Sequence, residues 1–437
     1  MFLISVAKPQ TSYYHPEIPE AGKTLEIVYN PFAEESQFSI NDDVYIIITE
    51  IDQEGERLSI YQKMEKEKTV FVSNINLSAK SSFLQIYFIT LSENSWDTKA
   101  NLRISVFNED GVKARNGNHY DFGEEIKNYP DNYAVYRNKW FLEKFQKPGT
   151  YKSIIKGDLD RLLQVRDTSA GLLLAHSYGY LLLEEKQKSY DIIEKMVRLY
   201  PDKAYTFDAV SLFINELFSS RMDAVLFEKI ISLTESLVLK KTYSPYAWDL
   251  VGTFSTSIFS DSCISVVCRD WIKSQPDNPA PYYLLSLILS KQNINAYSYR
   301  KVLADKFINL TLSGKLRLYG DVGGKTNIPK LSYGYYLLSE IYFAENNFVE
   351  ALSAIQTAIG LNKDPNDKMF LLSGNIWFVL SNYRLAEESY FKAWSSGSAN
   401  AKEKILLCYQ ITHNDTTGFE GYFLEKTKTD LTDNHRE

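Results

Sequence analysis

The closest approach to catalytic chemistry in this chain is Gly320-Asp321-Val322-Gly323-Gly324-Lys325-Thr326, which ends like a phosphate-binding loop. Such a loop needs four residues between its first Gly and the Gly before Lys, so that backbone N–H groups can curl around the phosphates. Here only three intervene, Asp321 to Gly323, and Asn327-Ile328-Pro329 stands where a helix should aim its dipole at the anion. No nucleotide or other cofactor is expected. His176-Ser177 sets a base beside a hydroxyl, but no G-x-S-x-G surrounds it, and both fall on a helix seam where packing is expected instead. His15, His119, His413 and His435 are scattered over loops and ends. Cys263, Cys268 and Cys408 form neither a CxxC nor a zinc-ligand spacing with any His. Cys263 and Cys268 lie five apart on one predicted helix and point away from each other, so buried thiols are expected and no disulfide or metal site. The carboxylate pairs Glu184-Glu185 and Glu387-Glu388 fall on predicted solvent faces. No catalytic residue emerges, and the chain reads as non-enzymatic.

What the sequence does repeat is a packing pattern. Leu173/Ser177, Phe207/Ser211, Trp248/Gly252, Tyr282/Ser286, Tyr335/Ser339 and Phe370/Gly374 each set a large residue four positions ahead of a small one, and three of the five intervals are 34 or 35 residues. Large at position 4 and small at position 8 of a 34-residue unit is the helix-turn-helix tetratricopeptide (TPR) pattern. The small residue lets the second helix close on the first, and the large one fills the gap between neighbouring units. Two units are clean: Tyr335, Leu338, Ser339, Tyr342, Ala351, Ile355 and Ala358 in one, and Phe370, Ser373, Gly374, Trp377, Ala386, Tyr390 and Ala393 in the other. These are positions 4, 7, 8, 11, 20, 24 and 27, and only Ser373 departs from the large-apolar expectation at position 7. Upstream, position 20 decays to Ser189, Asp223, Ile264 and Ser298, while position 24 stays apolar as Ile193, Phe227, Cys268 and Val302. Pro201 and Pro276 fall near position 32, where Pro stops a second helix. A generic bundle of helices about 15 residues long is the alternative, since it would show similar spacing.

The front of the chain changes period from helical to two. Leu25 to Tyr29, Val44 to Thr49, Leu58 to Gln62, Thr69 to Val72, Phe83 to Thr90 and Leu102 to Phe107 are candidate strands, with turns at Asp52 to Gly55 and Asn108 to Gly111. With no helix among them they predict antiparallel sheets, an Ig-like sandwich or, as runner-up, a small barrel. The expected fold class is thus multidomain β + α: an N-terminal Ig-like antiparallel β-sandwich followed by an all-α TPR-like solenoid. The expected segments are a sandwich over 1–128, a helical linker over 129–169, degenerate repeats over 170–312, an inserted Gly-rich loop over 313–331, two clear repeats over 332–400, and a capping helix and polar tail over 401–437. Within the linker, Tyr133, Tyr136, Trp140 and Phe141 form an aromatic packing face on a helix from Asn132 to Phe145.

In a TPR unit, positions 2, 5, 9 and 12 of the first helix line the concave face. That assigns Tyr333, Tyr336, Glu340 and Phe343 from one unit and Lys368, Leu371, Asn375 and Phe378 from the next. Rings with a few polar groups suit an extended or helical peptide, the rings supplying area and the polar groups fixing register. The competing expectation is that these rings pack on the following helix. No cluster of Lys and Arg accompanies them, which disfavours a clamp for a terminal carboxylate.

Composition narrows the partners. The net charge is −7 over 437 residues, without a basic run, so nucleic acid is disfavoured. No apolar stretch approaches the roughly 18 residues of a membrane span. Met1 to Ala7 reads either as the tail of a secretion signal or as a first strand.

Tyr13-Tyr14-His15-Pro16-Glu17-Ile18-Pro19-Glu20-Ala21-Gly22, followed by Leu25 to Pro31, resembles the opening of bacterial TlpA-like thiol-disulfide oxidoreductases. Ser95-Trp96-Asp97-Thr98-Lys99-Ala100-Asn101 is similar to the closing strands of their Ig-like domain, and Asn414 to Tyr422 to the segment leading to their thioredoxin domain. The resemblance implies export to the periplasm and a substrate-gathering or docking role. It carries over no catalytic residue, because Trp-Cys-x-x-Cys does not occur in this chain. The leading expectation is an exported interaction scaffold with a protein or peptide partner; a cytoplasmic protein is the alternative location. The other expectations are the front part of an oxidoreductase whose thioredoxin domain is absent from this chain, and a hydrolase or glycan-binding protein with a site at the domain junction.

Overall fold

The computed structural model describes residues 10–90, 95–118, 121–219, 224–254, 258–292, 296–313, 315–319, 330–362 and 365–433. The phosphate-loop-like run at 320–326, Asp223, His119, His435 and the N-terminal segment at 1–7 lie outside them. The described residues fall into two compact units, one holding those up to Ile89, Trp96–Leu285 and a strand at 315–319, the other Thr90, Ser95, Ser286–Ser313 and those from 330 onward.

The first unit opens with β1 (Ser12–His15), β2 (Thr24–Tyr29), β3 (Val44–Asp52), β4 (Arg57–Lys63), β5 (Glu65–Glu67), β6 (Val70–Asn76), β7 (Ser81–Thr90) and β8 (Ser95–Ser105). Two sheets form, ordered β1-β2-β6-β5 and β8-β7-β3-β4, with an added edge strand on the second described below. Alternation places Leu25, Ile27 and Tyr29 of β2 and Phe71 and Ile75 of β6 in one core with Val44, Ile46, Ile48, Leu84, Ile86 and Phe88 of the other sheet. Asp97 shows why the Ser95 to Asn101 segment has its composition. The carboxylate is fully buried and accepts hydrogen bonds from the Tyr29 hydroxyl at 2.7 Å and from the backbone N–H groups of Lys99 and Ala100. A buried charge needs such partners, and here they tie the start of β8 to the middle of the core. At the β3–β4 hairpin, Asp52 Oδ1 accepts from the N–H groups of Glu54 and Glu56, both at 2.8 Å, and Gly55 takes φ 83°, which favours glycine.

Helices α1 (Phe122–Asn128), α2 (Val135–Gln146) and α3 (Tyr151–Leu162) fill the expected linker. Trp140 of α2 is fully buried and its indole N–H donates to Asp158 at 2.9 Å. Phe141 does not share that face: it is 49% exposed and meets only the exposed Phe145 among the described rings, because the next helical position turns it about 100° away. Then follow α4 (Ala170–Leu182), α5 (Lys186–Leu199), α6 (Ala204–Ser219), α7 (Ala224–Lys240), α8 (Pro245–Phe254) and α9 (Asp261–Ser274). Tyr205 of α6 donates its hydroxyl to Glu54 O at 2.7 Å, and Asp208 pairs with Arg137 of α2 at 2.6 Å and Arg57 of β4 at 3.9 Å. These contacts seat the hairpin on the first helices. Burial there raises the Tyr205 phenol to about 12.

Helix α10 (Ala280–Lys291) spans the division between the units. The second unit continues with α11 (Tyr297–Ser313). Strand β9 (Lys315–Tyr319) then returns to the first unit and pairs antiparallel with β4, Tyr61 opposite Leu316. Part of the stretch expected to be a loop is therefore a strand, which the pairing with β4 defines and the Gly-rich remainder of the stretch obscured in the sequence. The unit closes with α12 (Leu331–Ala344), α13 (Phe348–Gly360), α14 (Asp367–Val379), α15 (Tyr383–Ser395), α16 (Ala401–His413) and α17 (Phe419–Asp433). The last two form a further helix pair where one capping helix was expected. Phe419 and Phe423 pack on Phe391, Ile405 and Tyr409.

The seams behave as the repeat requires. Ser177 Oγ lies 3.0 Å from Ser189 Oγ across α4/α5, and Ser339 Oγ donates to Ala351 O at 2.8 Å across α12/α13. Gly374 sits so close to α15 that a Cβ there would be 2.4 Å from the Tyr390 ring. His176 is no partner of Ser177; burial holds its imidazole below the usual range. The three thiols are free and buried, and desolvation pushes those of Cys263 and Cys408 up to about 12, far from a reactive thiolate.

Candidate protein-interaction groove

The first helices α12 and α14 carry the eight expected groove residues in two groups that differ in what holds them. On α12, Tyr336 and Glu340 are one turn apart, and the Tyr336 hydroxyl donates to Glu340 Oε1 at 2.9 Å. Both are half-buried. Ser290 of α10 also hydrogen-bonds the Glu340 carboxylate, and the charge of Lys368, at the start of α14, acts on it favourably. Burial nevertheless dominates and raises the Glu340 carboxyl above the ordinary glutamate range. Side chains of two successive first helices thus meet on one carboxylate, and Lys368 on the next acts through its charge alone.

Behind it stands Arg300 of α11, only 5% exposed, with Nη2 3.9 Å from Glu340 Oε2. That distance is an ion pair without a hydrogen bond. Arg300 Nε and Nη2 make no hydrogen bond among the described residues, and neither does the buried Ser286 hydroxyl. The reason lies in the loop before α11. Second helices α5, α9, α13 and α15 begin sixteen residues after their unit's first position, but α11 begins at Tyr297, two residues late. The small residue of position 20 is therefore displaced, and Arg300 takes the place that Ser189, Ala351 and Ala386 occupy elsewhere. Val302, assigned to the apolar position 24, is correspondingly 62% exposed, while Leu303 and Ala304 are buried in its stead.

The aromatic pair behaves differently. Phe343 meets Phe348 edge-on at 5.7 Å, and Phe378 meets Tyr383 edge-on at 5.3 Å, each being the first large residue of the following helix. Asn375 accepts a hydrogen bond from the Tyr390 hydroxyl at 3.0 Å. Phe343, Asn375 and Phe378 are thus engaged within their own helix pairs, the competing expectation for rings at these positions. Tyr333 and Leu371 are half-buried against the neighbouring helices, and Lys368 is exposed. Sequence reasoning missed Ser290 and Arg300. Ser290 holds position 12 of its own unit and was reachable by the same rule; the two-residue loop extension hid Arg300.

No family model matches the chain, and no curated protein matches it. Among solved structures, a chain of the APC/C hetero-tetramer Cut9-Hcn1 aligns with 65% of this chain and 51% of its own length, at 10% identity and a TM-score of 0.39. This chain thus spans about half the length of that one. A tetratricopeptide repeat protein from Parabacteroides merdae aligns over 67% of this chain and 98% of its own, at 12% identity and a TM-score of 0.36. The MamA RS-1 ArsTM double mutant aligns over 47% and 90%, at 15% identity and 0.26. Likeness at this level adds nothing to the seams themselves, which identify the repeats as TPR-like.

Proposed function

We propose that the chain is a non-enzymatic protein-interaction scaffold whose second unit holds an extended segment of a partner along α12 and α14. The observation that carries this reading is the meeting of Ser290 and Tyr336, from two first helices, on the Glu340 carboxylate, with Arg300 behind it and the charge of Lys368 acting on it from the next. A carboxylate that accepts and an ammonium that donates can match a peptide backbone, while the Tyr333 and Tyr336 rings supply apolar area. The strand orders β1-β2-β6-β5 and β8-β7-β3-β4 follow the A-B-E-D and G-F-C-C′ arrangement of an Ig-like sandwich, which supports that reading of the front. Together with the TlpA-like sequence features it supports an exported protein.

Peptides selected on the wild-type chain from a phage-displayed library test the groove. Tyr336→Ala/Lys368→Glu should bind them at least tenfold more weakly, with an unchanged circular dichroism melt. Equal binding by the variant overturns the reading.

A further inference from the structure

The first unit contains a cleft of about 560 Å³ where the open side of the two sheets meets the turn between α9 and α10. That volume falls within the range of small-ligand sites, about 300–1,000 Å³. Its wall from the sheets is Ile60 and Gln62 of β4 with Asn74, Ile75 and Asn76 of β6; its wall from the turn runs from Ser274 to Asn278. The lining holds no cationic side chain and one carboxylate, Asp277.

The amides are fixed at one end. Gln62 pairs with Ile46 of β3, which puts it on the inner face of its sheet, and its Nε2 donates to Ser73 Oγ on the opposite sheet. Asn76 Oδ1 accepts from Thr24 Oγ1 at 2.8 Å. Gln275 Oε1 accepts from the Trp271 indole at 3.3 Å and from Asn278 Nδ2 at 3.1 Å. Asn278 Oδ1 is itself held by the Ala280 N–H at 3.0 Å. Because an amide is planar, tying one end aims the other. Gln62 Oε1 and Gln275 Nε2 make no hydrogen bond among the described residues, so the cleft presents an acceptor and a donor held in place, with Asn74, Asn76 and Asp277 along its rim.

We infer that this cleft binds a neutral carbohydrate. Each sugar hydroxyl both donates and accepts, and interleaved amide donors and acceptors satisfy both roles without a net charge. Ile60, half-buried, and Pro276 give apolar surface to the C–H faces of a ring. Phosphorylated or sulfated ligands find no cation among the lining residues, and one carboxylate opposes them. The site lies apart in sequence from the groove on α12 and α14, and neither reading depends on the other.

A printed array of neutral, sialylated and sulfated glycans, followed by calorimetry with the best soluble oligosaccharide, tests the inference. Wild type should bind neutral glycans, and Asn74→Ala/Asn76→Ala and Gln275→Ala should each weaken that binding at least tenfold. The two β6 residues are exposed, so the double variant should keep the wild-type melting curve. Tyr336→Ala/Lys368→Glu should bind glycan as wild type does. Binding to none of the array, binding restricted to sulfated or sialylated glycans, or neutral-glycan binding unchanged in both cleft variants would each overturn it.

Discussion

Helix pairs α14/α15 and α8/α9 obey the same large-then-small rule, yet only the first depends on its small residue. At Gly374 the Tyr390 ring lies against the backbone of α14, 2% exposed and pinned through its hydroxyl to Asn375. At Gly252 a Cβ would meet nothing within 4 Å. The difference follows from the partner helix. Where positions 20 and 27 are Ala386 and Ala393, both fully buried, the second helix can close on the first. Where they are Ile264 and Trp271, it cannot, and the space is taken by Trp271 stacked on Trp248 at 5.5 Å and 6°. A repeat can therefore keep its pattern while exchanging close backbone approach for a ring pair.

The largest effect is expected from removing that ring. Trp271 is 4% exposed, so Trp271→Ala should cost about 3–5 kcal/mol, as for other buried Trp truncations. Urea denaturation of the full chain followed by far-ultraviolet circular dichroism should show it. A loss below about 1 kcal/mol would mean that the α8/α9 seam is held by something other than the Trp pair. The variant also removes the donor that fixes Gln275, so it should weaken glycan binding at the cleft.

This contrast sets how much could be read beforehand. The large residue of each pair, the clean units at α12/α13 and α14/α15, and six strands of the front were visible in local pattern, because alternation and seam positions are written in consecutive residues. Three strands were not. β1 and β5 are short and polar, and β9 is defined only by its pairing with β4, some 250 residues away in sequence. On α12, Tyr336 and Glu340 meet one turn apart, as their spacing implies. Arg300 was hidden because a two-residue change in loop length shifts every later position, which no count of residues alone reveals. The cleft was less visible still: its amides come from two strands and a turn, and only tertiary packing brings them together.

A smaller effect is expected at the tight seam. Gly374→Ala must push the Tyr390 ring off its place and strain its bond to Asn375. Overpacking of this kind costs about 1–3 kcal/mol, partly offset by the gain of roughly 1 kcal/mol in helix propensity. A net loss, measured as above, with Tyr390→Phe giving a smaller one, would fit a ring held mainly by packing. A neutral or stabilised Gly374→Ala would show that α15 can withdraw at little cost.

Gly252→Ala is the mirror experiment and the smallest effect. With open space at the added methyl, only the backbone term remains: alanine restricts the unfolded chain and favours helix by about 0.5–1 kcal/mol. The substitution should therefore stabilise, opposite in sign to its counterpart at the same repeat position. The sign is the informative quantity, since both changes add one methyl to a helical glycine and differ only in what the facing helix carries. If Gly252→Ala destabilises as Gly374→Ala does, α9 approaches α8 more closely in solution than the Trp248–Trp271 stack allows, and the division into tight and ring-filled seams fails.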